Sequence, residues 1–98
     1  MNIDELKKLL QSPENEHIKY KEAKTLYDVK KLMKYCVAFA NEGGGQLVFG
    51  VNEQRKMIGT QVFKDTGAIK SKILEKLRIQ VDIVELQEDN KRVFVLNI

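Results

Sequence analysis

The sequence predicts an α+β domain in which helices pack on a mixed, mainly antiparallel sheet, in the order α-β-α-β-β-α-β-β. Three observations predict it. Apolar residues recur at helical spacing in three separate segments. Between and after these lie short runs of strand length, either alternating or continuously apolar. Glycine-, asparagine- and aspartate-rich corners separate the two kinds of segment. At 98 residues the chain has room for one domain and a modest core.

Ile3, Leu6, Leu9 and Leu10 follow helical spacing, with Asn2 as N-cap and Glu5 three residues on; Ser12-Pro13 ends this helix. Across His17–Lys21, Ile18 and Tyr20 alternate with Lys19 and Lys21, as in a short strand. Thr25-Leu26-Tyr27-Asp28 has the spacing of a capping box and predicts a helix closing at Asn41. Its apolar stripe reads Val29, Leu32, Met33, Cys36, Val37 and Ala40, with Lys30, Lys31 and Lys34 on or beside the other face. Asn41 to Gly45 forms a glycine corner in which Gly43 or Gly44 takes a positive φ. Gln46–Val51 is almost continuously apolar up to Gly50, which predicts a central strand covered on both faces. A polar turn at Asn52–Lys56 then leads to a hairpin partner at Met57-Ile58-Gly59-Thr60. Asp65-Thr66-Gly67 opens a further helix with Ile69, Ile73, Leu74 and Leu77 inward. Ile79, Val81 and Ile83 begin a half-buried strand, Glu88–Lys91 is a turn, and Arg92–Ile98 is the last strand. That last strand has apolar residues on both faces and is expected to seek cover or an edge partner. Its position at the end of the chain suggests an N-terminal piece of a longer protein with a further C-terminal domain.

Composition narrows the function. Hydrophobic residues make up 43% and charged residues 32%, as in a globular domain, and no apolar run reaches bilayer length. A cytoplasmic setting with no membrane partner is expected. Cys36 is the single cysteine and His17 the single histidine, which gives neither a disulfide nor a zinc set; no metal or other cofactor is expected. His17 lacks a serine, cysteine or acid placed to complete a triad, so no catalytic residue is assigned. Seventeen Lys and Arg against fourteen Asp and Glu give a net charge of +3, which permits binding to nucleic acid. Only Arg55, Arg78 and Arg92 are arginine, so phosphate contacts from lysine outweigh bidentate base reading.

Gly43-Gly44-Gly45 does not read as a phosphate loop. Such a loop precedes a helix, whereas these glycines follow one, and no Gly-Lys-Ser/Thr comes after them. The densest cationic block is Lys19, Lys21, Lys24, Lys30, Lys31 and Lys34; Arg55 and Lys56 stand in the turn beside the central strand. These eight are the candidate nucleic-acid contacts, and Asn41, Gly43, Gly44 and Gly50 are the candidate structural motif.

Four segments together resemble the AlbA_2 domain of schlafen-type proteins. They are Glu14-Asn15-Glu16-His17-Ile18-Lys19-Tyr20-Lys21, Ala38-Phe39-Ala40-Asn41-Glu42-Gly43-Gly44, Leu47-Val48-Phe49-Gly50-Val51-Asn52-Glu53, and Ile58-Gly59-Thr60. The resemblance runs from Glu14 onward. It implies a non-catalytic DNA- or RNA-binding domain of the kind found in bacterial transcriptional regulators, often beside a C-terminal winged helix. Schlafen lobes occur as fused pairs, so the resemblance also implies a homodimer for a single copy. In some schlafens a related lobe is a metal-dependent endoribonuclease with three carboxylates. The matching positions are Glu14, Lys19 and Asn52, of which only Glu14 is a carboxylate. The resemblance therefore favours binding over cleavage, with an oligomerisation or scaffold module of a longer regulator as the other alternative.

Overall fold

A computed structural model describes residues 1–98. Its elements are α1 (Ile3–Leu9), β1 (Ile18–Lys21), α2 (Val29–Asn41), β2 (Gln46–Phe49), α3 (Thr66–Leu77), β3 (Asp82–Glu88) and β4 (Lys91–Asn97). The strands form one sheet in the order β1-β2-β4-β3. β1 and β2 are parallel, with Ile18 opposite Gln46 and Lys21 opposite Phe49; a parallel pair needs a crossover, which α2 supplies. β2–β4 and β3–β4 are antiparallel, so the sheet is mixed and the α+β class holds.

The sheet has a core on each face. Leu47, Phe49, Phe94 and Leu96 pack with Leu32, Cys36 and Phe39 of α2 and with Ile69 and Ile73 of α3. On the other face Ile18, Tyr20, Val48, Val93 and Val95 pack under Leu6 of α1. Alternate residues of β2 and β4 thus enter opposite cores, and both strands are covered on both sides.

The expected element order needs one correction. Met57–Thr60 is not a strand: it keeps a single bridge, Val51 to Met57, because the Ile58 and Gly59 N–H groups both donate to the Gly50 carbonyl (2.8 and 3.0 Å) and twist the chain out of register. The observed order is α-β-α-β-α-β-β. α2 begins at Val29, not Thr25, because the Asp28 carboxylate caps it by accepting from Lys30 N–H at 2.9 Å. Its buried stripe is Leu32, Cys36 and Phe39, while Val37 is 40% exposed and Ala40 is exposed. Phe39 turns inward because Gly45 leaves room for its ring; a Cβ on Gly45 would lie 2.3 Å from Phe39 Cδ1. In α3, Leu74 is exposed where the sequence pattern places it inward. β3 starts at Asp82 because Arg78 ends α3 in the left-handed region (φ 58°) and the chain needs three residues to turn. β4 lies inside the sheet, so the open edges are β1 and β3, and the ground for expecting Arg92–Ile98 to recruit an outside partner falls away.

Local signals behave as the sequence predicts. Asn2 caps α1 by accepting from Glu5 N–H at 2.9 Å. Asp89 and Asn90 hold φ of 53° and 61° in the β3–β4 hairpin, matching the right-handed twist of the strands. Gly43 and Gly44 hold φ of 85° and 118° at the corner after α2. The His17 ring Nδ1–H donates to the Gly44 carbonyl at 2.9 Å and ties β1 to that corner.

One arginine organises the loop between β2 and α3. The Arg92 guanidinium donates to the carbonyls of Thr60 (3.3 Å), Val62 (2.7 Å) and Phe63 (2.9 Å), pairs with Glu85 at 2.7 Å and lies 4.9 Å from the Phe94 ring centroid. The same loop holds the segment before α2: the Thr60 hydroxyl donates to the Ala23 carbonyl, and Gln61 N–H donates to the Lys24 carbonyl at 2.8 Å. No helix is long and apolar enough to cross a membrane.

Candidate functional site

Successive residues of β1 point to opposite faces. Ile18 and Tyr20 enter the core under α1, which leaves Lys19 and Lys21 on the face that carries α2. α2 crosses back over that face, and its residues 31, 34, 35 and 38 share one side at helical spacing. The result is a groove of about 510 Å³ lined by Lys21, Tyr27, Lys31, Lys34, Tyr35 and Ala38. Its lining holds three lysines and no carboxylate, and none of these lysines belongs to an ion pair of the chain. The groove is therefore a concentrated positive surface.

Its tyrosines are set in place by aromatic packing. Tyr27 meets Phe49 edge-on (4.9 Å, 83°) and Phe63 likewise (6.5 Å, 82°). Burial pushes the Tyr27 phenol up to about 12, and the neighbouring Tyr35 and Asp28 add to the shift. Tyr35 lies 6.1 Å from Phe39, tilted by 31°, and Lys21 Nζ sits 4.6 Å from the Tyr35 ring centroid. The wall carrying Tyr27 depends on Arg92, because Arg92 fixes Phe63 and Phe63 abuts Tyr27.

The structure divides the sequence-predicted contacts. Lys21, Lys31 and Lys34 meet in the groove, with Lys19 beside Lys21 on the same face of β1. Lys24 is exposed in the segment leading to α2, and Lys30 is exposed on the first turn of α2, outside the groove. Arg55 and Lys56 stand apart. The half-buried Arg55 donates from Nε to the Leu10 carbonyl at 2.8 Å, a tie to the end of α1, and Lys56 faces a second cleft with Lys7 and Lys91. That cleft also contains Glu88 and Asp89, so its charge is mixed. Asn41 is the exposed last residue of α2, Gly43 and Gly44 form the corner, and Gly50 (φ 99°) ends β2. In the sequence Tyr20, Tyr27 and Tyr35 all lie near lysines, a pattern that suits base stacking, although half-buried tyrosines with a wet hydroxyl are the commoner case; the structure brings Tyr27 and Tyr35 to the groove and Tyr20 into the core under α1.

The three positions matched to the nuclease carboxylates do not fit a divalent metal. Glu14 and Asn52 line one cleft with Glu22 and Glu53, but Lys19 does not line it. Asn52 is neutral, and the Glu14 carboxylate accepts from Tyr20 N–H at 3.3 Å. No group of three or more His, Cys, Asp or Glu side chains is placed to hold a metal ion. Cys36 is fully buried, and burial pushes its thiol up to about 11, as for an inert core cysteine.

The sequence model of the family described as "Schlafen, AlbA_2" matches residues 14–98, which is all of the chain except α1 and the turn after it. No curated protein sequence matches. Among solved structures, the DIP2311 protein from Corynebacterium diphtheriae is similar, with a TM-score of 0.67 at 18% identity over 98% of this chain. This chain spans 25% of that protein's chain. The solution structure of the N-terminal domain of a protein from Nitrosomonas europaea, described as related to the DNA helicase RecG, has a TM-score of 0.57 at 22% identity. There the match covers 95% of this chain and 69% of the other. At these identities the likeness is one of fold.

Proposed function

The chain belongs to the Schlafen AlbA_2 family, and from that membership we propose that it is a non-catalytic nucleic-acid-binding domain whose contact surface is the groove between β1 and α2. The observation that carries the reading is the groove's lining: Lys21, Lys31 and Lys34 converge with no carboxylate among them. Three unpaired ammonium groups along one concave surface suit a phosphate backbone, which they follow as point charges without reading bases. The similarity to a domain from a RecG-related protein supports a nucleic-acid role. The misfit of Glu14, Lys19 and Asn52 to a metal supports binding without cleavage. Within a longer chain, such a domain supplies non-specific affinity to a transcriptional regulator, with sequence choice left to other parts.

Salt dependence tests the reading. With Lys19, Lys21, Lys31 and Lys34 engaged, the logarithm of affinity for duplex DNA is expected to fall with log salt at a slope of about −3 to −4. Lys31→Glu with Lys34→Glu should weaken binding to every sequence alike and flatten the slope by about 2. Both residues are exposed on α2, so the melting temperature should hardly move. Undetectable binding of any strand at low salt, or a double variant that binds like the parent, overturns the proposal and leaves the scaffold alternative.

A further inference from the structure

We infer that the same groove seats one unpaired base of a single-stranded nucleic acid, stacked on the Tyr35–Tyr27 wall, with the flanking phosphates at Lys21, Lys31 and Lys34. The inference rests on the nucleic-acid reading above and adds the strand state of the partner. Phosphate tracking by itself needs only lysines on an exposed surface. The groove offers more: a concavity of about 510 Å³, within the range of small-ligand pockets, with two aromatic rings in its lining.

The state of the rings favours a stacking partner. Tyr20 uses its hydroxyl within the fold, its one proton shared between the carbonyls of Leu9 and Ser12 at 2.8 and 2.7 Å, whereas the hydroxyls of Tyr27 and Tyr35 face the groove lining without such a partner. Tyr35 is tilted against Phe39 and carries the Lys21 ammonium over its ring at 4.6 Å from the centroid, a polar group and not a packed apolar side chain. A cation over a half-buried ring beside a groove open to water is held more weakly than a stacked base, so a base can take that place. The displaced ammonium then meets the phosphate of the same nucleotide. Tyr27 is fixed by its edge contacts with Phe49 and Phe63, so the wall is preorganised and little ordering opposes binding. Leu26, next to Tyr27 in the chain, is 87% exposed, an apolar side chain that phosphate-only contact would leave in water. A duplex keeps the faces of its bases inside the stack and cannot use the rings; a single strand can.

The test compares a single-stranded oligonucleotide, in deoxy and ribo forms, with the corresponding duplex at one salt concentration. The single strand is expected to bind about tenfold tighter than the duplex. Tyr35→Leu should lower single-strand affinity about fivefold or more while leaving duplex affinity and the salt slope unchanged, and Tyr35→Phe should restore the loss. The chain has three tyrosines and no tryptophan, so stacking should also quench its intrinsic tyrosine fluorescence with single strands and not with duplex. That measurement on the unaltered protein decides the matter even if Tyr35→Leu fails to fold. Duplex binding as tight as single-strand binding, or equal quenching by both, overturns the base seat while the phosphate reading stands. Binding of neither overturns both.

Discussion

The Arg92 side chain is only 11% exposed and satisfies three loop carbonyls with one fork of donors. Arg92→Ala leaves those carbonyls and Glu85 without it, and urea unfolding should show a loss of about 3 kcal/mol. Arg92→Lys should still lose about 1–3 kcal/mol, because a single ammonium cannot reproduce the planar fork. Glu85 is 45% exposed, so Glu85→Ala should cost less than about 1 kcal/mol. The contrast between Arg92 and Glu85 identifies the carbonyls, not the ion pair, as the reason for the arginine. Tyr27 gives a pH test. Its phenol is raised from 10 to about 12 in the fold, first by burial and then by Tyr35 and Asp28, so the folded state holds the proton more firmly than the unfolded one. The associated stability is whole below pH 10 and is lost as pH rises from 10 towards 12. Thermal melts across that range should fall more steeply for the parent than for Tyr27→Phe, and an equal decline in both would contradict the assignment.

At the scale of elements, the corner after α2 separates conformational strain from steric fit. Gly43 has φ 85° with nothing within 4 Å of a built Cβ, so Gly43→Ala should cost about 1–2 kcal/mol, the strain of the left-handed region alone. Gly44 has φ 118°, and its Cβ would meet the Ile98 carbonyl oxygen at 2.8 Å; Gly45 would strike Phe39. Gly44→Ala and Gly45→Ala should each melt below Gly43→Ala, and equal melting of all three would refute the packing argument. Such corners are legible in sequence because their cause is local: a glycine that must turn, an asparagine that caps, an Asp-Asn pair that closes a hairpin. The α2 stripe was only partly legible. Helical spacing admits both the Val37–Ala40 side and the Phe39 side, and the choice depends on Gly45, six residues beyond Phe39 in the corner that follows the helix. The Met57–Thr60 strand fails for a similar reason, since the Ile58 and Gly59 amide groups converge on one Gly50 carbonyl and alternation does not reveal that. In the candidate site, the lysines were visible as a block, but their division was not. Only the parallel β1–α2–β2 crossover brings Lys21 to Lys31 and Lys34, and only the path of α1 gives Arg55 a carbonyl to hold.

For the molecule as a whole, both open edges of the sheet carry charge. β1 presents Lys19 and Lys21, which belong to no ion pair of the chain, whereas Asp82, Glu85 and Glu88 of β3 are already paired with Lys70, Arg92 and Lys7. Pairing of two copies through the β1 edge brings like charges together, which discourages strand addition there. If light scattering at high micromolar concentration finds a dimer, Lys19→Glu should leave it intact, because the β1 edge does not join the copies; a dimer lost in that variant would refute this. The interior place of β4 also governs when the fold can close. During synthesis β1, α2 and β2 leave the ribosome well before β4, and the residues between Phe49 and Lys91 take about 2–8 s to add at about 5–20 residues per second. Throughout that interval the apolar edge Leu47-Val48-Phe49 faces water with its eventual neighbour not yet made. The nascent chain is thus most exposed to mispairing between its first half and its last strand, which makes that window the natural point for a chaperone to engage it.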